Sequence, residues 1–111
     1  MREDREIKMD GARPVKNSGR GVRKGDAVLY DMLVDYKDYT ESFAITRAKW
    51  KKHAKDAWND GQYTPCFSIC LNAKEIKSHN DKPIYLGVIP WERLKQLLKA
   101  EEELEKINGE A

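Results

Sequence analysis

Residues 26–37 read Asp26-Ala-Val-Leu-Tyr-Asp-Met-Leu-Val-Asp-Tyr-Lys37, and the way this stretch folds decides the rest of the chain. It is rich in Val, Leu, Met and Tyr and is short enough to be two strands joined at Tyr30-Asp31, which predicts a β-hairpin. A two-residue loop at that point places Asp26 directly opposite Asp35. Opposed side chains on one face of an antiparallel pair have Cβ atoms roughly 4.5–5.5 Å apart, where two like charges are unfavourable unless something compensates them. Side chains alternate along a strand, so Lys37 shares the face of Asp35 while Val34 and Tyr36 point the other way. The expected surface therefore carries two carboxylates and one ammonium. Mg²⁺ takes oxygen ligands in octahedral geometry and commonly one or two carboxylates. Asp26, Asp35 and the main-chain carbonyl of Tyr36 suit it.

Working outward, the flanking segments carry positive charge. The chain has 21 Lys and Arg against 19 Asp and Glu, a net charge of only +2, so the total says little and the distribution matters more. Residues 11–24 hold Arg13, Lys16, Arg20, Arg23 and Lys24 with no acid, and residues 47–55 hold Arg47, Lys49, Lys51, Lys52 and Lys55 with none either. Acid is concentrated at the end, in Glu101, Glu102, Glu103, Glu105 and Glu110. Basic clusters of this kind neutralise phosphates, release condensed counterions and give salt-sensitive affinity for nucleic acid. The first cluster is expected to be a Gly-rich loop over residues 11–25, in which Gly19, Gly21 and Gly25 allow a phosphate to approach the backbone.

Residues 46–60 read as a helix. Thr46 is its expected N-cap and Asn59-Asp60-Gly61 its stop. Trp50, Ala54, Ala57 and Trp58 follow the spacing of one buried face, and Arg47, Lys51 and Lys55 form a neighbouring basic stripe expected to run beside the hairpin and track a DNA backbone. Beyond it, Cys66 to Leu71 reads as a strand buried on both faces, begun near Pro65. Residues 72–82 are a polar connection, Ile84 to Ile89 a further strand, and Pro90-Trp91 opens a last helix. Trp91, Leu94, Leu97, Leu98, Leu104 and Ile107 mark its apolar face, and its distal, acidic part, residues 99–111, is expected to stand exposed or to pack on a partner subunit. Cys66 and Cys70, four apart in a strand rising about 3.3 Å per residue, stand roughly 13 Å apart, too far for a disulfide. Neither His53 nor His79 has zinc-ligand spacing to that pair. Core thiols, no secretory signal and no apolar stretch of membrane-spanning length predict a soluble, cytoplasmic protein.

Taken together, the stretch Asn17-Ser18-Gly19-Arg20-Gly21-Val22-Arg23-Lys24-Gly25-Asp26 and the triplet Asp35-Tyr36-Lys37 resemble the PD-(D/E)XK nuclease superfamily, most closely its small phage and archaeal members similar to Holliday-junction resolvases. The first stretch looks like the family's Ser-Gly loop running into its first catalytic Asp, and the triplet looks like its (D/E)-x-K signature. The order of elements downstream also fits, over roughly residues 3 to 98. The resemblance implies an α/β (α+β) domain with a restriction-endonuclease-like core, a mixed central β-sheet flanked by helices, filling the 111 residues as one domain. It implies catalytic Asp26, Asp35 and Lys37 and a contribution from Ser18 and the basic loop to DNA binding. It also implies a third acid from a short N-terminal helix or arm within residues 1–10, for which Glu6 is the best match and Glu3 the next. The chain departs from the common pattern in carrying Asp35 where relatives have Glu, a shorter reach toward the ion. The implied reaction is Mg²⁺-dependent hydrolysis of a phosphodiester, with Mn²⁺ able to substitute, on branched or four-way DNA. Symmetric cutting of two strands needs two sites, hence a C2 homodimer. A nicking or restriction-type nuclease on the same scaffold, and a nucleic-acid-binding accessory module with an inert acidic pair, are the alternative readings.

Overall fold

The computed structural model describes residues 2–17 and 21–109, without the side chains of residues 2–4, 15–17 and 21–25. The elements run α1 (Arg2–Asp10), β1 (Arg13–Asn17), β2 (Gly21–Leu29), β3 (Met32–Thr40), α2 (Arg47–Gly61), β4 (Thr64–Asn72), a 3₁₀ turn (His79–Asp81), β5 (Ile84–Val88) and α3 (Trp91–Gly109). One mixed sheet holds all five strands in sequence order, β1-β2-β3-β4-β5. Among the described residues only the β3–β4 pair is parallel. Parallel neighbours need a crossover rather than a tight turn, and α2 supplies it. The fold class is the mixed α and β arrangement expected, with helices flanking the sheet.

The hairpin has the expected register. Leu29 pairs with Met32, Val28 with Leu33, Ala27 with Val34 and Asp26 with Asp35, across a Tyr30-Asp31 turn in which Tyr30 adopts φ 54°. Because the strand period is two, this register divides the sheet into two chemically different faces. Ala27, Val34, Tyr36 and Cys66 form a core with Ile7 of α1, and Leu29, Met32 and Ile89 pack around it. The opposite face carries Asp26, Leu33, Asp35 and Phe67, and α2 packs over β3 and β4 there.

Two expectations change. Residues 11–25 do not form one loop: Arg13–Asn17 and Gly21–Leu29 pair as an antiparallel ribbon, with a register shift between Pro14 and Lys16. β1 is the edge of the sheet, where Lys, Pro and irregular pairing are at home. Ser18 and Arg20 lie outside the described residues, as do the side chains of Lys16, Arg23, Lys24 and Glu3. On α2, Trp58 is not buried with Trp50; it is 64% exposed, and His53 and Ala57 are the buried residues. At about 100° per residue, His53 and Ala57 lie to one side of Trp50, and Trp58 lies about 80° to the other. The docked arc is thus Trp50, His53 and Ala57.

Helix boundaries follow the capping chemistry. The Thr46 hydroxyl accepts from the Lys49 N–H at 3.1 Å, satisfying a first-turn donor. Gln62, at φ 58°, ends the helix by donating its N–H to the Trp58 carbonyl at 2.9 Å. α3 leaves the body: none of its residues is buried, and Arg93 ties its first turns to Asp31 at 2.9 Å. The Cα radius of gyration is 16.4 Å, larger than the about 13 Å of a compact domain this long. Among the described residues no helix is long and apolar enough to cross a membrane. Cys66 and Cys70 are both buried and are not joined in a disulfide.

Candidate metal centre

The opposed carboxylates of Asp26 and Asp35 lie on the α2 side of the hairpin. Asp26 is 5% exposed and Asp35 is half-buried. Holding two acids across one antiparallel pair away from bulk water needs positive charge nearby. Lys37, two residues along β3 and therefore on the same face, places Nζ 3.2 Å from Asp35 Oδ2. Burial works against the Lys37 charge, but attraction to Asp35 and a hydrogen bond to it, helped by Tyr39 and Asp26, outweigh that effect and raise its pKa above the usual lysine value. Lys37 is therefore a firmly protonated cation at neutral pH.

The third member of the site comes from α2. Asp26, Asp35 and His53 each offer one ligand atom, and these three atoms lie within 4.8 Å of one another. His53 is 4% exposed and is held from two sides. Its Nε2 is 2.9 Å from the carbonyl oxygens of both Leu33 and Cys66. A carbonyl can only accept, so Nε2 carries the proton and donates to both, which leaves Nδ1 as the ring nitrogen not engaged by these carbonyls. The ring face stacks on Phe67, centroids 5.1 Å apart at 20°. Trp50 and Phe43 meet Phe67 edge-on at 5.4 and 5.8 Å. Packing and hydrogen bonds together fix the imidazole plane before any ligand arrives.

These groups open into a cavity of about 300 Å³, whose walls include Lys37, Tyr39, Phe43, Lys49, Lys52 and Asp56. Lys49 is anchored, donating to the Ala44 carbonyl at 2.9 Å with its ammonium 5.0 Å from the Phe43 ring centre. Acid from Asp26 and Asp35 on the hairpin thus faces Lys49, Lys52 and Asp56 of α2 across the cavity.

The residues read from the sequence divide accordingly. Asp26, Asp35 and Lys37 meet as expected. Glu6 does not join them: it is 7% exposed on α1, which packs on the face of Ala27, Val34 and Tyr36. Its charge is felt there by Tyr36. Tyr36 points its side chain to that same side and donates to Asp10 Oδ2 at 2.8 Å; burial, then Asp10, push its phenol far above the usual tyrosine value. Only its main chain runs past the carboxylates. Arg47, Lys51 and Lys55 are exposed, on the side of α2 turned about 150° from the cavity-facing residues Lys49, Lys52, His53 and Asp56. Arg13 reaches the Tyr63 hydroxyl at 3.3 Å. Sequence reasoning missed His53, Lys49 and Lys52. The signal for His53 was its spacing, i+3 from Trp50 and i−4 from Ala57, which makes it a buried histidine in need of partners.

No family model matches the sequence, and no curated protein or solved structure is significantly similar to it.

Proposed function

We propose that this chain is a divalent-metal-dependent DNA endonuclease of the Holliday-junction-resolvase-like kind. The observation that supports it most is the meeting of two opposed carboxylates, a protonated lysine and an oriented imidazole in a cavity that Lys49 and Lys52 also line. Asp26, Asp35 and His53 would hold the ion; once bound, such an ion acidifies a water and neutralises charge on the scissile phosphate.

The remaining roles belong to the protein. Lys37, a compact point charge beside Asp35, orients the attacking water or the phosphate oxygen. Asp26 and Asp35 concentrate negative charge on one spot, which draws a cation there and keeps it. Lys49 and Lys52 meet the phosphates flanking the cut, fixing position without reading bases. The second basic run, Arg47, Lys51 and Lys55, extends contact around the far side of α2. Two symmetric cuts need two copies, and α3 offers a second copy the uncovered side chains Leu97, Leu98, Leu104 and Ile107.

The test is a comparison of labelled four-way junction, matched duplex and single strand, each incubated with the purified chain and divalent metal or with EDTA. Paired symmetric cuts at the junction support this reading. Cuts in linear DNA indicate a nicking or restriction-type enzyme, and a mobility shift without cutting indicates a binding module.

A further inference from the structure

We infer that the site prefers a first-row transition ion to Mg²⁺, with the Nδ1 of His53 as a ligand alongside Asp26 and Asp35. The inference rests on the reading of Asp26 and Asp35 as a metal site and concerns which ion that site is built for.

Three observations lead to it. First, the histidine is already arranged as metal-bound histidines are: one ring nitrogen donates to main-chain carbonyls, which fixes the tautomer, and the other is presented with its lone pair. Here Nε2 performs the first task twice over, on Leu33 and Cys66. Second, the ring has no freedom to turn away, since Phe67 stacks on its face and α2 buries it. Third, its ligand atom lies within 4.8 Å of those of the two aspartates. Metal bonds of about 2.1 Å can span that gap after a slight inward movement of the carboxylates. Two carboxylate oxygens and an imidazole nitrogen converge within 4.8 Å, so a cation between them is held by all three.

Ligand chemistry then selects the ion. Mg²⁺ prefers an all-oxygen shell, keeps several waters and gains little from imidazole. Affinity for imidazole rises along the first row from Mn²⁺ to Cu²⁺, with Zn²⁺ below Cu²⁺. A site in which one of three protein ligands is a rigid nitrogen discriminates against Mg²⁺ by construction.

The experiment uses the tag-free wild-type chain and His53→Gln, with Mg²⁺, Mn²⁺ and Co²⁺ as probes. Affinities come from calorimetry, and pulsed EPR of the Mn²⁺-loaded protein reports directly bound imidazole nitrogen. Co²⁺ and Mn²⁺ should bind at least about tenfold more tightly than Mg²⁺, with nitrogen coupling present in wild type. In His53→Gln the coupling should vanish, and transition-ion affinity should drop about tenfold or more while Mg²⁺ affinity changes little. Because the wild-type spectrum alone decides whether nitrogen is bound, the inference stays testable if the variant does not fold. Mn²⁺ binding that requires Asp26 and Asp35 but shows no imidazole coupling, with Mg²⁺ equally tight, overturns the inference and leaves the metal site standing. Absence of binding by every ion overturns both.

Discussion

Replacing His53 by Ala should destabilise the fold itself, before any question of catalysis. The imidazole satisfies two buried carbonyls, those of Leu33 and Cys66, at 2.9 Å each. Removing it takes this donor from both acceptors. An unsatisfied buried acceptor costs about 1–3 kcal/mol, and the lost stacking on Phe67 with the space left behind adds about 1 kcal/mol more. Over both acceptors the sum, roughly 3–7 kcal/mol, is a large share of the about 5–15 kcal/mol that holds a domain of this size. At about 4 °C or more per kcal/mol, the melting temperature should fall by about 12 °C or more. His79→Ala is the control: His79 is exposed, so its loss should stay within about 0.5 kcal/mol. Urea unfolding of wild type, His53→Ala and His79→Ala at neutral pH with EDTA measures all three. A His53→Ala protein as stable as the His79→Ala control would refute the two-carbonyl clamp and, with it, the claim that Nδ1 is held in place.

Other consequences follow from the same geometry. Trp50→Ala should cost about 2–4 kcal/mol, because Trp50 packs edge-on against Phe67, whereas Trp58→Ala, at an exposed position, should cost less than about 0.5 kcal/mol; urea unfolding distinguishes them. Saturating Mn²⁺ at a hundred times its dissociation constant should stabilise wild type by about 2.7 kcal/mol, and Asp26→Asn should abolish that gain in a thermal melt. Stability should fall on the alkaline side: burial pushes the Cys66 thiol up to about 11, so above pH 9 the unfolded chain ionises its thiol while the folded one does not. The loss approaches about 1.4 kcal/mol per pH unit over that window. Tyr36, raised in the same direction, deepens the loss at higher pH, and the stability contributed by Lys37 also disappears as pH rises through its own raised value. Urea titrations between pH 7 and 10.5 record the trend; a flat profile would contradict it.

How much of this was legible in the sequence depends on the range of the interactions involved. The hairpin register was readable because a two-residue turn and a period of two leave no freedom: once Tyr30-Asp31 is the loop, Asp26 must face Asp35 and Lys37 must share that side. The N-cap at Thr46 and the β4 strand after Pro65 are local in the same sense. His53 was not legible as a site residue, since its role depends on how α2 rotates over β3 and β4, a tertiary choice made by Trp50, Ala57 and Phe67 together. The same rotation put Trp58 in solvent and turned Lys49 and Lys52, rather than Arg47, Lys51 and Lys55, toward the cavity. The Gly-rich basic segment misled because glycine count suggests a loop, while pairing of β1 with β2 is decided by the exposed edge they complete. Glu6 was sought by analogy of order along the chain; the helix that carries it packs on the other side of the sheet.

The central claim is that Asp26 and Asp35 form a metal-dependent hydrolytic site, and one measurement addresses it directly. Wild type, Asp26→Ala and Asp35→Ala are each incubated with a labelled four-way junction in the presence of Mn²⁺, Mg²⁺ or EDTA, and cleavage and binding are followed on the same samples. The account predicts cutting by wild type with a divalent ion and none with EDTA. It predicts that both variants lose cutting while still shifting the junction. Cleavage by either purified variant at the wild-type rate, or wild-type cleavage that persists in EDTA, would contradict it.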